Sequence, residues 1–266
     1  MNKSQGLFLC PGAIGAGIRP GGPSSGPSPN MGDRLLIDLE NRFFAVSDGA
    51  DRSPEASYYF LNQALEMAEN WPELRQGGCL TPEKVREIGF KLETLVNELM
   101  AGTPFNQNCT FTGVLVLETA QGPWLAVAHA GDSRLYGYLP GGDLTEISKP
   151  NFWLVGKSTR LYQMELVPCR PGEIFLLATD GLDGLAFPEG EPAARALARL
   201  MLNYPVEDLP GLVFEKFDRR EGPKDDLGFM FLRPDGLPRR RTKMIFPGKN
   251  GAAPPGAACP EAKVKP

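Results

Sequence analysis

The sequence lacks any apolar run near the roughly 20 uncharged residues that a membrane-spanning helix needs, which excludes a spanning helix. It also lacks a cysteine framework. Cys10, Cys79, Cys109, Cys169 and Cys259 are odd in number and show no C-x-x-C spacing. That argues against a disulfide set or a cysteine zinc site, and for a reducing, cytoplasmic setting. Cys109 and Cys169 lie beside apolar segments and are expected in the core. No leader is expected either, because the apolar stretch Gly6–Cys10 is short, is followed at once by Pro11, and places bulky Leu9 before Cys10. An excess of positive charge is missing as well. The net charge of −4 gives no whole-molecule attraction to nucleic acid, so no nucleic-acid partner is expected.

What is abundant is glycine and proline, 31 and 26 residues, gathered in Pro11–Pro29 and Pro234–Pro266. Such stretches make poor core. The charge is also unevenly placed. From Gly236 onward, seven cations face only Glu261, a net +6 that leaves −10 for the rest of the chain. Residues 236–266 therefore read as a basic, disordered tail that could contact an acidic partner. Residues 1–29 read as an N-terminal strand or loop segment, with Gly12–Pro29 a loop. Residues 30–235 read as the folded domain, which the N-terminal segment could complete.

Within that domain, Arg34–Asp38 and Arg42–Ser47 predict two short strands joined by a polar turn. Ser53-Pro54-Glu55 and Thr81-Pro82-Glu83 are helix starts: a hydroxyl cap, proline in the first turn and an acid beside it. Phe60, Ala64, Met67 and Ala68 continue the first helix. Val85, Ile88, Leu92, Leu95, Val96 and Leu99 mark one face of the second. Further strands are predicted at Phe111–Leu117, Trp124–Ala130, Arg134–Tyr138, Ile174–Ala178 and Phe229–Leu232, with a helix over Glu191–Leu202. Strands in groups rather than in strict alternation with helices imply an α+β fold. The natural layering is two packed antiparallel sheets with helices on both outer faces.

Aspartates recur at the ends of these strands. Asp48 follows one and precedes Gly49; Asp180 follows another and precedes Gly181. Asp132 lies in Gly131-Asp132-Ser133-Arg134, Asp225 and Asp226 directly precede the last strand, and Asp33 precedes the first. Each Asp-Gly alone is an ordinary turn. Jointly, a cluster of carboxylates at one end of a sheet requires cations, and all-oxygen ligation suits Mg²⁺ or Mn²⁺. Glycine after the acid lets the chain turn sharply and offers a bare carbonyl.

These segments resemble the ordered motifs of the metal-dependent protein phosphatases of type 2C. The likeness rests on Phe43–Gly49, Ala128–Arg134, Phe175–Leu182 and Lys224–Leu227, with Asn30–Asp38 similar to an opening Asn-x-Asp block and Asn108-Cys109-Thr110 leading into a strand. It spans about residues 30–233. The resemblance implies an α-β-β-α sandwich and a bacterial-type serine/threonine phosphatase acting on phosphorylated proteins, such as the targets of a serine/threonine kinase. It implies two or three Mn²⁺ or Mg²⁺ ions. Asp48 would bridge two of them, with the Gly49 carbonyl on one and Asp180 and Asp225 completing the other. Asp132 would serve a looser third ion, and Asp33 would orient water. A water or hydroxide between two such cations would attack phosphorus in line.

There are departures. Residues 26–29 lack the arginine that the family uses to grip phosphate. Arg19 is favoured in that role, with Arg52 and Arg34 as further candidates. Ala50-Asp51-Arg52 stands where the family usually has a second glycine pair, or a histidine acting as acid. The single histidine, His129, reads as structural. The span from Arg134 to Asp180 leaves little room for the family's flap, which predicts a more open site. Two alternatives stay open: a catalytically weak phosphatase-like domain that binds phosphoproteins or a regulatory partner, and a phosphatase of small phosphoesters.

Overall fold

A computed structural model describes residues 6–21, 31–75, 78–188, 191–218 and 225–247. Two six-stranded antiparallel sheets lie face to face. The first runs in the order β1 (Gly6–Cys10), β2 (Ile14–Arg19), β11 (Leu227–Leu232), β10 (Ile174–Ala178), β7 (Arg134–Tyr138), β8 (Leu144–Glu146). The second runs β12 (Lys243–Phe246), β3 (Arg34–Asp38), β4 (Phe43–Ser47), β5 (Phe111–Thr119), β6 (Gly122–Ala130), β9 (Gln163–Pro168).

Alternate residues of the strands point to opposite faces, and both faces are covered. Leu35, Ile37, Phe44, Val46, Leu177, Met230 and Leu232 meet between the sheets. Leu36, Phe43 and Ala45 face outward onto helices α1 (Pro54–Glu69) and α2 (Pro82–Gly102). Leu176, Ala178, Phe229 and Phe231 face outward onto α3 (Ala193–Asn203) and α4 (Leu209–Phe217). The α-β-β-α sandwich expected from the sequence is the fold observed. Both helix caps form as well: Ser53 accepts from the Ala56 N–H and Thr81 from the Lys84 N–H. Among the described residues, no helix is long and apolar enough to cross a membrane.

Two expectations need correction. The glycine-rich part of the expected loop Gly12–Pro29 is strand β2 over Ile14–Arg19, paired on both sides. Its glycines make room for α4. A side chain at Gly15 would lie 2.2 Å from the Val206 carbonyl oxygen, and one at Gly17 would lie 2.8 Å from the Phe214 ring. Glycine in a strand here marks close approach by a helix. Residues 236–266 are also not wholly a loose tail. Lys243–Phe246 pairs with β3, Phe246 is fully buried between the sheets, and Lys243 forms ion pairs with Glu40 and Glu69. The part beyond Pro247, with most of the expected disorder, lies outside the described residues. Removing the Phe246 ring leaves a cavity, so Phe246→Ala should destabilise by about 3–5 kcal/mol. Thermal unfolding would show this as a melting temperature lower by about 10 °C; an unchanged value would mean that β12 does not contribute to the core.

Candidate functional site

Strand pairing alone brings the acids together. Arg34 lies opposite Ser47, so Asp33 before β3 and Asp48 after β4 share one end of the second sheet. Ala178 lies opposite both Arg134 and Phe229, which places Asp180 after β10 beside Asp132 before β7 and Asp225 before β11. Two bonds across the sheets show that these ends coincide. The Thr179 hydroxyl donates to the Asp33 carboxyl at 2.6 Å, and the Gly32 N–H donates to Asp226 at 2.6 Å.

The electrostatics carry the signature of this crowding. Asp48 is pushed up to about 8, first by burial and then by the negative charges of Asp180, Asp225 and Asp132. Asp180 is raised to about 6 by burial and by Asp132, Asp225 and Asp183, against the pull of Arg134. Asp33 is fully enclosed and held well above the usual carboxylate range by burial and by the neighbouring Asp48, with which it shares a hydrogen bond. Desolvation and like charge both disfavour the ionised forms. Among the described residues, no three acidic, histidine or cysteine side chains are drawn round a common point. The carboxylates are therefore collected at one end of the sandwich but not closed into a ligand shell. Their all-oxygen chemistry and mutual repulsion fit a hard divalent cation, which would relieve both effects.

The backbone around Asp48 is tightly specified. Its N–H is bonded to the Thr110 hydroxyl at 2.9 Å, its carbonyl accepts from the Thr110 N–H at 2.8 Å, and the Ser47 hydroxyl donates to the Thr110 carbonyl at 2.6 Å. A side chain at Gly49 would lie 1.9 Å from the Ser53 carbonyl oxygen, and one at Gly181 would lie 1.8 Å from that of Asp226. Both glycines of the Asp-Gly pairs are thus fixed by close backbone approach. The Gly49 carbonyl accepts from the Ser53 N–H at 3.2 Å and keeps a second lone pair. Asp51 adopts a left-handed φ of 55°, a conformation that aspartate tolerates better than most residues, at the point where the resemblance leads one to expect glycine.

No family model and no curated protein matches the sequence. Solved structures do match in shape. The serine/threonine phosphatase PstP/Ppp of Mycobacterium tuberculosis superposes with a TM-score of 0.59 at 18% identity, covering 85% of this chain and 98% of that one. The PstP catalytic domain in complex with two manganese ions gives 0.59 at 18% identity, covering 85% and 97%. RsbX in complex with magnesium gives 0.55 at 15% identity, covering 85% and 98%.

The chain has the type 2C phosphatase fold. Within that fold Asp33, Asp48, Asp132, Asp180 and Asp225 lie at one end of the sandwich, as the strand registers require. Asn30 and Lys224 of the expected motifs lie outside the described residues. The arginines fall differently. Arg19, favoured as the phosphate grip, is buried, forms an ion pair with Asp218 at 2.9 Å and donates to the Asp225 carbonyl at 2.8 Å. These contacts hold its Nε and Nη1, while its Nη2 is buried with no hydrogen-bond partner among the described residues. Arg34 is buried too and donates to the Met31 and Asp33 carbonyls. Arg52 ends the short turn Ala50–Arg52, and its side chain is not among those described. His129 is structural, as expected. Its ring bonds to the Thr112 hydroxyl and the Lys149 carbonyl, and burial lowers it to about 4, which keeps it neutral. Cys109 is buried and its thiol is pushed up to about 12 by burial, so it is no nucleophile.

Asp226 was missed as a separate role. One oxygen accepts from the Gly21 N–H at 2.6 Å and the other from the Gly32 N–H at 2.6 Å, so it ties the two flanks of residues 22–30 to the start of β11. The signal available was the Asp-Asp pair itself. In extended chain adjacent side chains point opposite ways, and here Asp225 is exposed while Asp226 is buried. The Arg134–Asp183 fork, with contacts of 3.0 and 2.7 Å, was also missed.

Because folding raises Asp48 from 3.8 to about 8, the metal-free protein loses stability as the pH rises through that interval. Asp48→Asn removes the ionising group. With chelator present, it should melt several degrees above wild type at pH 9, and the gap should narrow toward pH 5. A variant melting below wild type at pH 9 would show that Asp48 is not under repulsion.

Proposed function

We propose that this chain is a metal-dependent phosphatase that hydrolyses phosphoserine or phosphothreonine on proteins. The observation that carries the reading is the gathering of five acids at one end of a type 2C fold, three of them raised by burial and by neighbouring carboxylates. Asp48, the Gly49 carbonyl, Asp180 and Asp225 would hold two Mn²⁺ or Mg²⁺ ions, with Asp132 serving a third, weaker site. When bound, the ions supply a lowered pKa for water and neutralise charge on the phosphoryl oxygens.

The chain's own groups do the rest. Asp33, enclosed and tied to the Thr179 hydroxyl, is set to orient the attacking water by accepting its hydrogen. Thr110 and Ser133, bonded to each other at 2.6 Å, fix the backbone that carries Asp48 and the turn that carries Asp132. Arg19, whose Nη2 has no hydrogen-bond partner among the described residues, and Arg52 are the candidates for the phosphate-binding role in this reading. The manganese and magnesium named for PstP and RsbX support the choice of metals.

A second reading, a phosphoprotein-binding domain with little activity, is favoured only by the engagement of Arg19. Hydrolysis of a phosphothreonine peptide separates the two. Turnover should require Mn²⁺ and vanish with chelator, and Asp180→Asn or Asp225→Asn should lower kcat by more than about a hundredfold with the fold intact by circular dichroism. Wild-type turnover in Asp180→Asn, or none in wild type with Mn²⁺, would refute the enzyme.

A further inference from the structure

The loop between β8 and β9 exposes aromatic side chains that the fold has no use for. Phe152 is 97% exposed and Trp153 46%, while Val155 and Leu161 of the same loop are buried. The loop thus buries some apolar residues and leaves its bulkiest ones in water. Trp153 stacks edge-on against the half-exposed Tyr162 at 5.9 Å. Exposed aromatic clusters of this kind mark interaction surfaces.

The loop is also held still at both ends. The Asn151 N–H donates to the Gly131 carbonyl at 2.9 Å, and the Gly131 N–H donates to the Asn151 side chain at 3.1 Å. The Lys149 carbonyl is bonded to the His129 ring at 3.1 Å. At the other end Val155 pairs with Cys109, which itself pairs with Gly49, and a side chain at Gly156 would lie 2.6 Å from the Gln107 carbonyl oxygen. The aromatic tip is therefore anchored to Gly131, the residue before Asp132, and through Cys109 to Gly49, the residue after Asp48. Preorganisation of this kind reduces the entropy lost on binding.

Charge indicates what the loop would meet. From Ser148 to Tyr162 it carries Lys149, Lys157 and Arg160 and no acid, on a body whose net charge is strongly negative. We propose that this loop is the docking surface for the phosphorylated segment of a protein substrate: Phe152 and Trp153 take an apolar side chain beside the phosphorylated residue, and the three cations take acidic residues near it. The inference rests on the phosphatase reading and specifies its substrate class.

The test uses the full chain with Mn²⁺ and the double variant Phe152→Ser/Trp153→Ala. Two labelled phosphothreonine peptides serve as probes, one with leucine and acids beside the phosphothreonine and one with serines there, together with a small aryl phosphate. The variant should raise KM and the anisotropy-measured Kd for the leucine-acid peptide by about tenfold, the usual scale for losing aromatic anchors. It should leave the aryl phosphate and the serine peptide unchanged. Equal loss on all substrates, no loss on any, or self-association of wild type that the variant abolishes would overturn the proposal. If wild type hydrolyses nothing, the phosphatase reading fails, yet the anisotropy arms still decide the docking surface: selective, variant-sensitive binding supports it and equal binding of both peptides refutes it.

Discussion

Repulsion among acids is the constraint around which this molecule is organised. Five strand ends deliver Asp33, Asp48, Asp132, Asp180 and Asp225 to one end of the sandwich, and Asp33, Asp48 and Asp180 are raised out of the normal carboxylate range there. Such a cluster opposes folding unless something else holds the strand ends in place. Two buried sheets with helices on both outer faces supply that framework. Locally, it is completed by neutral hydroxyls from Ser47, Thr110 and Thr179 and by the paired N–H groups on Asp226. The resulting end of the sandwich is rigid, negative and suited to divalent cations.

The same framework explains why the arginines are arranged as they are. Arg19 and Arg34 are buried next to the acidic end, where they bind the backbone carbonyls of Asp225, Met31 and Asp33, and Arg19 also pairs with Asp218. Cations on the open side come from other places: Arg134, forked onto Asp183, and the basic loop that carries Phe152 and Trp153. The loop between β8 and β9 leaves its aromatic tip open to solvent, anchored beside the acids.

Much of this was legible in the sequence, for specific reasons. The Asp-Gly pairs stood at the ends of apolar strands, and the register of those strands fixes which acids meet. The helix caps at Ser53 and Thr81 were readable because a hydroxyl, a proline and an acid occur in order. Strand β2 was not readable, because Gly15 and Gly17 are glycines for a tertiary reason, the approach of α4. Helix α4 was hidden in turn by Pro210 and Gly211 within nine residues. Strand β12 is too short and too near a proline-rich run to show a period. The ion pair of Arg19 could not be read, since its partner Asp218 lies about two hundred residues away along the chain. The glycines of the two Asp-Gly pairs are legible as turn residues, but they also allow close approach of the Ser53 and Asp226 backbones.

The account depends on the metal-free acids holding a proton that a cation displaces, since ligands must be deprotonated to bind. The direct measurement is Mn²⁺ titration of the full chain by calorimetry at pH 7, repeated in buffers of different ionisation enthalpy. The account predicts saturable binding with release of about one proton, because Asp48 lies near 8 before metal arrives, and loss of that binding in Asp180→Asn. Binding without proton release, or no binding at millimolar Mn²⁺, would contradict it.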